Sequence, residues 1–218
     1  MKITYAIAVC NESRDLYSLL SFLRNVKDDE DDINVLIDTA HVTDSVRSVL
    51  SHFESCVTTC ERSFDGDFSK HRNFHLTQCT GDYIFILDPD EMPQEDLIIA
   101  VKRVLATETV DMISVPRVNI TLGATKKWYE EHDFGDKINE MGWVNWPDYQ
   151  GRVVKNTPDI KFGNELHERL QGYQNHLAIK PHPTLALLHV KSVDKDNNRW
   201  ENGKYISPKN DNLYDNLM

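Results

Sequence analysis

The chain has 218 residues, enough for one sizeable domain or one domain with an elaborated half, and its 40% hydrophobic and 27% charged content describes an ordinary soluble globular protein. The formal net charge of −11 excludes a general binder of nucleic acid or anionic membrane, which needs a basic surface to neutralise phosphates, but leaves room for a phosphate ligand held through a metal. No apolar run approaches the roughly 18 residues of a membrane-spanning helix and Met1-Lys2-Ile3-Thr4 lacks a secretory pattern, so the expectation is a soluble, cytoplasmic protein.

Ile3 to Val9 is apolar nearly throughout and reads as a first strand. Asn11, Glu12 and Ser13 offer helix caps, after which Leu16, Leu19, Leu20 and Leu23 recur at helical spacing. The acidic block Asp28 to Asp32 is a loop, Ile33 to Ile37 a second strand running into Asp38, and Thr43 to Phe53 a helix with Val46, Val49, Leu50 and Phe53 on one face. This β-α-β-α order is the signature of a parallel sheet. Ser55 to Cys60 reads as a third strand; the turn Asp65-Gly66 follows, and Ser69 caps a helix ending near Cys79 with Gly81 behind it. Cys10, Cys56, Cys60 and Cys79 make neither a zinc pattern nor a disulfide framework, since Cys56 and Cys60 on one strand would stand about 13 Å apart. All four read as reduced, mostly buried thiols.

Tyr83 to Leu87 is five consecutive apolar residues opened by Gly81 and closed by Pro89, the pattern of a strand buried on both faces in the middle of a parallel sheet. Ligands of open α/β sheets gather beyond the carboxyl ends of such strands, where Asp88 and Asp90 lie, two apart and able to face one ion. Asp-x-Asp also occurs at 29/31, 65/67 and 194/196, but only the 88/90 pair follows a buried strand; 29/31 and 194/196 sit in charged segments that read as solvated surface turns. A helix is expected from about Pro93 to Ala106 and a further strand from Met112 to Ile120. From Leu122 to Tyr149 periodicity fades and Trp128, Tyr129, Trp143, Trp146 and Tyr149 mix with charges, the composition of a binding loop whose aromatics suit sugar faces or plain packing. Strands return at Arg152 to Lys155 and Leu185 to Lys191, and Ser192 to Met218 is a polar tail or linker. No Gly-rich linker or internal repeat divides the chain.

The first strand is followed by Val9-Cys10-Asn11-Glu12-Ser13, not by a glycine-rich dinucleotide loop, and no Walker lysine loop occurs, so phosphate must be managed by a metal and by cations. The ordered set Ala8-Val9-Cys10-Asn11-Glu12, Val35-Leu36-Ile37-Asp38, Phe68-Ser69-Lys70-His71-Arg72-Asn73 and Thr80 to Glu91 resembles the GT-A glycosyltransferases of the family 2 type. Trp146-Pro147-Asp148-Tyr149-Gln150 with Arg152, then Leu166-His167-Glu168 and Leu188-His189, resemble the second half of its lipopolysaccharide-type members, and the chain is also similar to small glycosyltransferase domains of large algal viruses, for which the location would be host cytoplasm. The likeness covers roughly residues 3 to 191.

That resemblance implies an α/β GT-A fold: a mostly parallel, Rossmann-like central sheet flanked by helices, in one domain over 1–191 with a nucleotide-sugar-binding half at 1–110 and an acceptor half at 111–191. It implies a metal-dependent, inverting hexosyltransferase (class 2.4) that uses a nucleoside-diphosphate sugar, a UDP-hexose or UDP-deoxyhexose, and a glycan or glycoconjugate acceptor, as one domain of a longer parent protein or alone. Val9, Asn11 and Glu12 would cradle uracil and ribose, Asp38 the base, and Arg72 the base or diphosphate; Asp88 would sit near ribose and metal, with Asp90 and His189 on the metal itself. Oxygen ligands with one nitrogen suit Mn²⁺ somewhat better than Mg²⁺. A carboxylate must take the proton of the acceptor hydroxyl, and Glu168, then Asp148, then Glu165 are the candidates, with Arg152 and Arg169 as salt-bridge partners under the alternative reading. Two other functions stand beside this one: a non-catalytic sugar- or nucleotide-binding module, and a sugar nucleotidylyltransferase, whose Gly-rich N-terminal loop is absent here.

Overall fold

The structure, a computed structural model, describes residues 1–164 and 168–193 together with the backbone of 200–201 and 204–205. The first half alternates as its periodicity requires: β1 (Ile3–Val9), α1 (Ser13–Val26), β2 (Asp32–Asp38), α2 (Asp44–His52), β3 (Thr58–Arg62), α3 (Phe68–Gln78) and β4 (Tyr83–Leu87). There follow β5 (Glu91–Met92), α4 (Glu95–Thr107), β6 (Met112–Val115), β7 (Arg117–Leu122), α5 (Lys126–Glu131), β8 (Gln150–Lys155), β9 (Lys161–Gly163), β10 (Arg169–Gln171), β11 (His176–Ala178) and β12 (Leu187–Ser192), then the short pair β13 (Trp200–Glu201) and β14 (Lys204–Tyr205).

Seven strands form the central sheet in the order β11-β6-β8-β4-β1-β2-β3, parallel except that β8 runs against both β6 and β4. Strand side chains alternate between the faces. Tyr5, Ile7, Val9, Ile33, Val35, Phe85 and Leu87 pack against α1, α2 and α4 through Leu16, Leu19, Leu20, Leu23, Val46, Leu97 and Val101. Ala6, Ile84 and Ile86 meet Cys79, Ile160 and Phe162 on the opposite face. Each such leucine contributes about 1.5–3 kcal/mol on burial, which is why the helical spacing read from α1 predicts its docked face so well. Gly81 opens β4 because nothing larger fits: a Cβ there would stand 2.6 Å from the Thr4 amide nitrogen.

A second, three-stranded sheet runs β5-β12-β7, with β12 parallel to β7 and antiparallel to β5. Its origin is Pro116. The apolar stretch expected as one strand from Met112 to Ile120 breaks there, β6 staying in the central sheet and β7 crossing to the second one. β5 comes from the first half of the chain and β6, β8 and β11 from the second, so the two halves share both sheets. No helix among the described residues is long and apolar enough to cross a membrane.

Several expectations shift. The third strand lies at Thr58–Arg62, not at 55–60, because among the described residues it is an edge strand paired with β2, and its exposed and half-exposed side chains give little hydrophobic signal. α3 is capped by Asp67, which accepts from the Lys70 amide at 2.9 Å, while Ser69 lies inside the helix and donates to the same oxygen. α4 starts at Glu95 behind an N-cap Gln94, leaving Pro93 outside it, and Pro183–Leu185 forms a 3₁₀ turn ahead of β12. α5 interrupts the segment read as irregular. Asp31, expected in a solvated turn, is 4% exposed and accepts from the Ile3 amide and Lys102. The cysteines are all free, as expected, but only Cys79 is buried; the other three are half-buried. Glu165, His167, the 194/196 pair and most of the tail lie outside the described residues.

Candidate active site

The parallel register brings the turn after β1, the end of β2 and the end of β4 to one edge of the sheet, so Val9 to Glu12, Asp38 and Asp88 meet there. Each is already engaged with its own surroundings. Glu12 folds its carboxylate back and accepts from the amides of Cys10 and Asn11, both at 3.0 Å, instead of capping α1. Val9 is buried and Asn11 half-buried. Asp38 accepts from the amides of Ala40 and Phe64 and sits 2.6 Å from His41 Nδ1; burial opposes its charge, but those partners outweigh it and hold the carboxyl below its usual range.

Beyond β4 the charged side chains form one continuous path. Arg72, projected from α3 and lying 5.6 Å over the Phe162 ring, donates through Nε to Glu168 at 2.6 Å and through Nη2 to Asp88 at 2.9 Å. Arg152 Nη2 donates to the other oxygen of Asp88 at 2.8 Å and to Glu91 at 2.5 Å. Arg117 bridges Glu91 at 2.8 Å to Asp148 at 2.7 Å. Carboxylates and guanidiniums therefore alternate from Glu168 to Asp148. Burial disfavours charge on Asp88, yet Arg152 and Arg72 overcome it and push its carboxyl well below the usual carboxylate range. Asp148 is half-buried, which opposes its charge, but Arg117, Asn119 and Gln150 hold its carboxyl below the usual range.

The path ends at a different kind of contact. Asn119 donates its amide hydrogens to Val144 O and Asp148 Oδ2, so its oxygen is the atom 2.8 Å from His189 Nδ1. That nitrogen must carry the ring proton, which leaves the Nε2 lone pair aimed toward Asp90 Oδ2 at 3.6 Å. Burial lowers the His189 pKa and favours the neutral ring. A neutral imidazole whose far ring nitrogen is held by a hydrogen-bond acceptor, and whose lone pair faces a carboxylate, has donor chemistry compatible with a metal ion. Among the described residues no three His, Cys, Asp or Glu side chains converge as a ligand set. The donors present fit a cation that takes two protein ligands and completes its shell with phosphate oxygens and water, as Mg²⁺ and Mn²⁺ do. The surrounding charges lean the same way: Asp88, Asp90, Glu91, Asp148 and Glu168 outnumber Arg72, Arg117, Arg152 and Lys191 by one.

Of the residues singled out in the sequence, the structure brings together Arg72, Asp88 and Glu168, and separately Asp90 and His189. Asp88, expected near ribose and metal, gives both oxygens to arginines. Arg152, read as a partner of Glu168 or Asp148, pairs with Asp88 and Glu91. Glu91, Arg117 and Asn119 were not anticipated; the one local hint was an arginine in the apolar run Arg152-Val153-Val154, which must find buried counter-charge. The aromatic segment packs largely on itself, with Trp143 and Trp146 rings 5.2 Å apart and Trp128 stacked on His132. A surface cleft of about 630 Å³ between α1 and α2, lined by Ser13, Arg14, Tyr17, Ser18, Ser45, Ser48 and Val49, holds none of this chemistry.

The profile of glycosyl transferase family 2 matches residues 4–194. The SPbeta prophage-derived glycosyltransferase SunS of Bacillus subtilis (strain 168) is 24% identical over 199 residues, which is 90% of this chain but 41% of SunS. The chain thus spans less than half the length of that relative. S. aureus TarS 1-349 in complex with UDP superposes with a TM-score of 0.62 at 14% identity, over 90% of this chain and 62% of that one. The mannosyltransferase PcManGT from Pyrobaculum calidifontis, in complex with GDP-Man and Mn²⁺, gives 0.55 at 14% identity over 85% and 56%. At that identity the two structures show a common fold.

Proposed function

The chain belongs to glycosyl transferase family 2, and from that premise we propose that it is a metal-dependent, inverting transferase carrying a hexosyl or deoxyhexosyl group from a UDP-sugar to a hydroxyl of a glycan or glycoconjugate. The observation that carries the proposal is the Asp90–His189 pair, two lone-pair donors facing each other beside the Arg72–Asp88–Glu168 cluster. That TarS binds UDP and the Pyrobaculum enzyme GDP-Man with Mn²⁺ on the same fold supports the choice of ligands.

In this reading Val9 to Glu12 and Asp38 would flank the nucleoside, Arg72 would reach the base or diphosphate and Asp88 the ribose, and Asp90 with His189 would hold Mn²⁺ or Mg²⁺. When bound, the cation supplies positive charge to the departing diphosphate. The acceptor oxygen attacks the anomeric carbon on the face opposite the diphosphate, the sugar–phosphate bond breaks with its electron pair going to the phosphate oxygen, and the acceptor proton passes to Glu168. Glu168 is preferred to Asp148 as base because Asp148 spends both oxygens on Arg117, Asn119 and Gln150 and is held below its usual range. Arg72 binds Glu168 and Asp88 at once, so base and donor cluster lie within one side chain's span.

Calorimetric titration with a panel of UDP-sugars, with and without Mn²⁺, followed by a donor hydrolysis assay, tests the proposal. Binding and hydrolysis should need the metal, and Asp90→Ala should weaken metal-dependent binding by about 10-fold or more. Metal-independent binding and hydrolysis, or an unaffected Asp90→Ala variant, would overturn it.

A further inference from the structure

Glu91 is 0% exposed, and every contact of its carboxylate belongs to the neighbourhood of the Asp90–His189 pair. Oε1 accepts from Arg117 at 2.8 Å and from Arg152 at 2.5 Å, while Oε2 accepts from the Asp88 amide at 3.3 Å. Its own amide donates to Asp88 O at 2.9 Å, so the turn Asp88-Pro89-Asp90 is closed from both its side chain and its backbone. In the antiparallel pairing of β5 with β12, the residue opposite Glu91 is His189. Through Arg117 and Asp148 the same carboxylate reaches Asn119, which sets the tautomer of His189.

We propose that Glu91 is the positioning residue of the metal pair: it fixes the turn that presents Asp90 and, by strand pairing and the Arg117–Asp148–Asn119 path, the ring that opposes it. A carboxylate serving only as counter-charge would need the two guanidiniums alone. The contact to the Asp88 amide and the placement across from His189 tie it to the geometry of the two ligands, which come from segments about a hundred residues apart in the chain. The identity of the cation rests on the glycosyltransferase reading above.

The test is a Mn²⁺ titration followed by electron paramagnetic resonance, with UDP present, on the parent chain and on Glu91→Gln. Glu91→Asp is the second variant: it keeps the charge but withdraws the carboxylate by one methylene, so it remains informative if the neutral variant does not fold. Each is measured where circular dichroism shows a cooperative fold. A positioning role predicts Mn²⁺ affinity weakened by about 10–100-fold in a folded variant, with turnover partly recovered by raising Mn²⁺. A purely structural role would lower the melting temperature and leave that affinity alone. Mn²⁺ affinity within about twofold of the parent in a folded variant overturns the proposal while leaving the enzyme reading intact. A parent chain that binds no Mn²⁺ with UDP removes both.

Discussion

Arg152→Met is the sharpest perturbation of the charged path, because Arg152 is 7% exposed and a single nitrogen of it serves two carboxylates. Methionine conserves much of the stem and removes the charge. Glu91 is then left with Arg117 and Asp88 with Arg72, two buried or half-buried carboxylates each short of a partner. Removing one member of a buried ion pair costs about 3–5 kcal/mol, chiefly because the remaining charge stays uncompensated. For a chain of this size each kcal/mol moves the melting temperature by about 2–4 °C, so a fall of roughly 6–20 °C is expected. The pH dependence gives a second signature. Asp88 is depressed in the fold by Arg152 and Arg72, so the stability it contributes is complete above its unfolded value of 3.8 and is lost as pH falls below it. Urea unfolding of parent and variant at pH 7 and pH 3.5 should therefore show a gap that shrinks at the lower pH. A gap at pH 7 smaller than about 1 kcal/mol would mean that the path is a solvated surface network and that its buried arithmetic is wrong.

Two further changes probe base and core. Glu168→Gln should bind a UDP-sugar and Mn²⁺ as the parent does, yet transfer sugar about 10²–10⁴-fold more slowly, and equal turnover would move the base elsewhere. His75 is buried with Nε2 3.0 Å from Asn34 Oδ1, and burial pushes its pKa down to about 3 from 6.5. Its neutral state supports the fold fully above pH 6.5, and that support is lost as pH falls from 6.5 toward about 3, at about 1.4 kcal/mol per pH unit inside that window. His75→Gln should flatten the urea-derived stability curve between pH 6 and 4 by that slope relative to the parent; parallel curves would show that His75 is not the group taking up the proton.

Where burial is continuous, the sequence is legible. β1, β2 and β4 announce themselves as apolar runs and α1 by its four leucines, since these residues make the core that selects the fold. β3 and the three-residue strands β9, β10 and β11 carry mostly half-exposed or exposed side chains, and their pairing is dictated by neighbours instead of by periodicity. The site divides along the same line. Asp88, Asp90 and His189 are visible because each ends or follows an apolar run. The destinations of Arg117 and Arg152 are not, because a charge 26 or 64 residues from its partner leaves no periodic trace. Glu91 stood in a recognised motif, but its role depends on which strand lies across from it, a property of topology alone.

That topology turns on one proline. Pro116 supplies no amide to continue the ladder of β6, and the chain leaves the central sheet there, its carbonyl accepting instead from the Leu187 amide at 2.9 Å. β7 then runs parallel to β12 with Asn119 opposite His189, while β5 pairs on the other side with Glu91 opposite the same histidine. Two residues flank His189 in register: one fixes which ring nitrogen is free, and the other holds the turn that carries Asp90. The two proposed ligands therefore do not depend on the aspartate pair behaving as a unit. The strand end divides it, giving Asp88 to Arg72 and Arg152 in the layer of the central sheet and Asp90 to His189 in the layer of the second. Pro89 between them contributes no ligand, yet a stiff turn at that point keeps two neighbouring carboxylates on separate duties, one neutralising two guanidiniums and the other facing an imidazole.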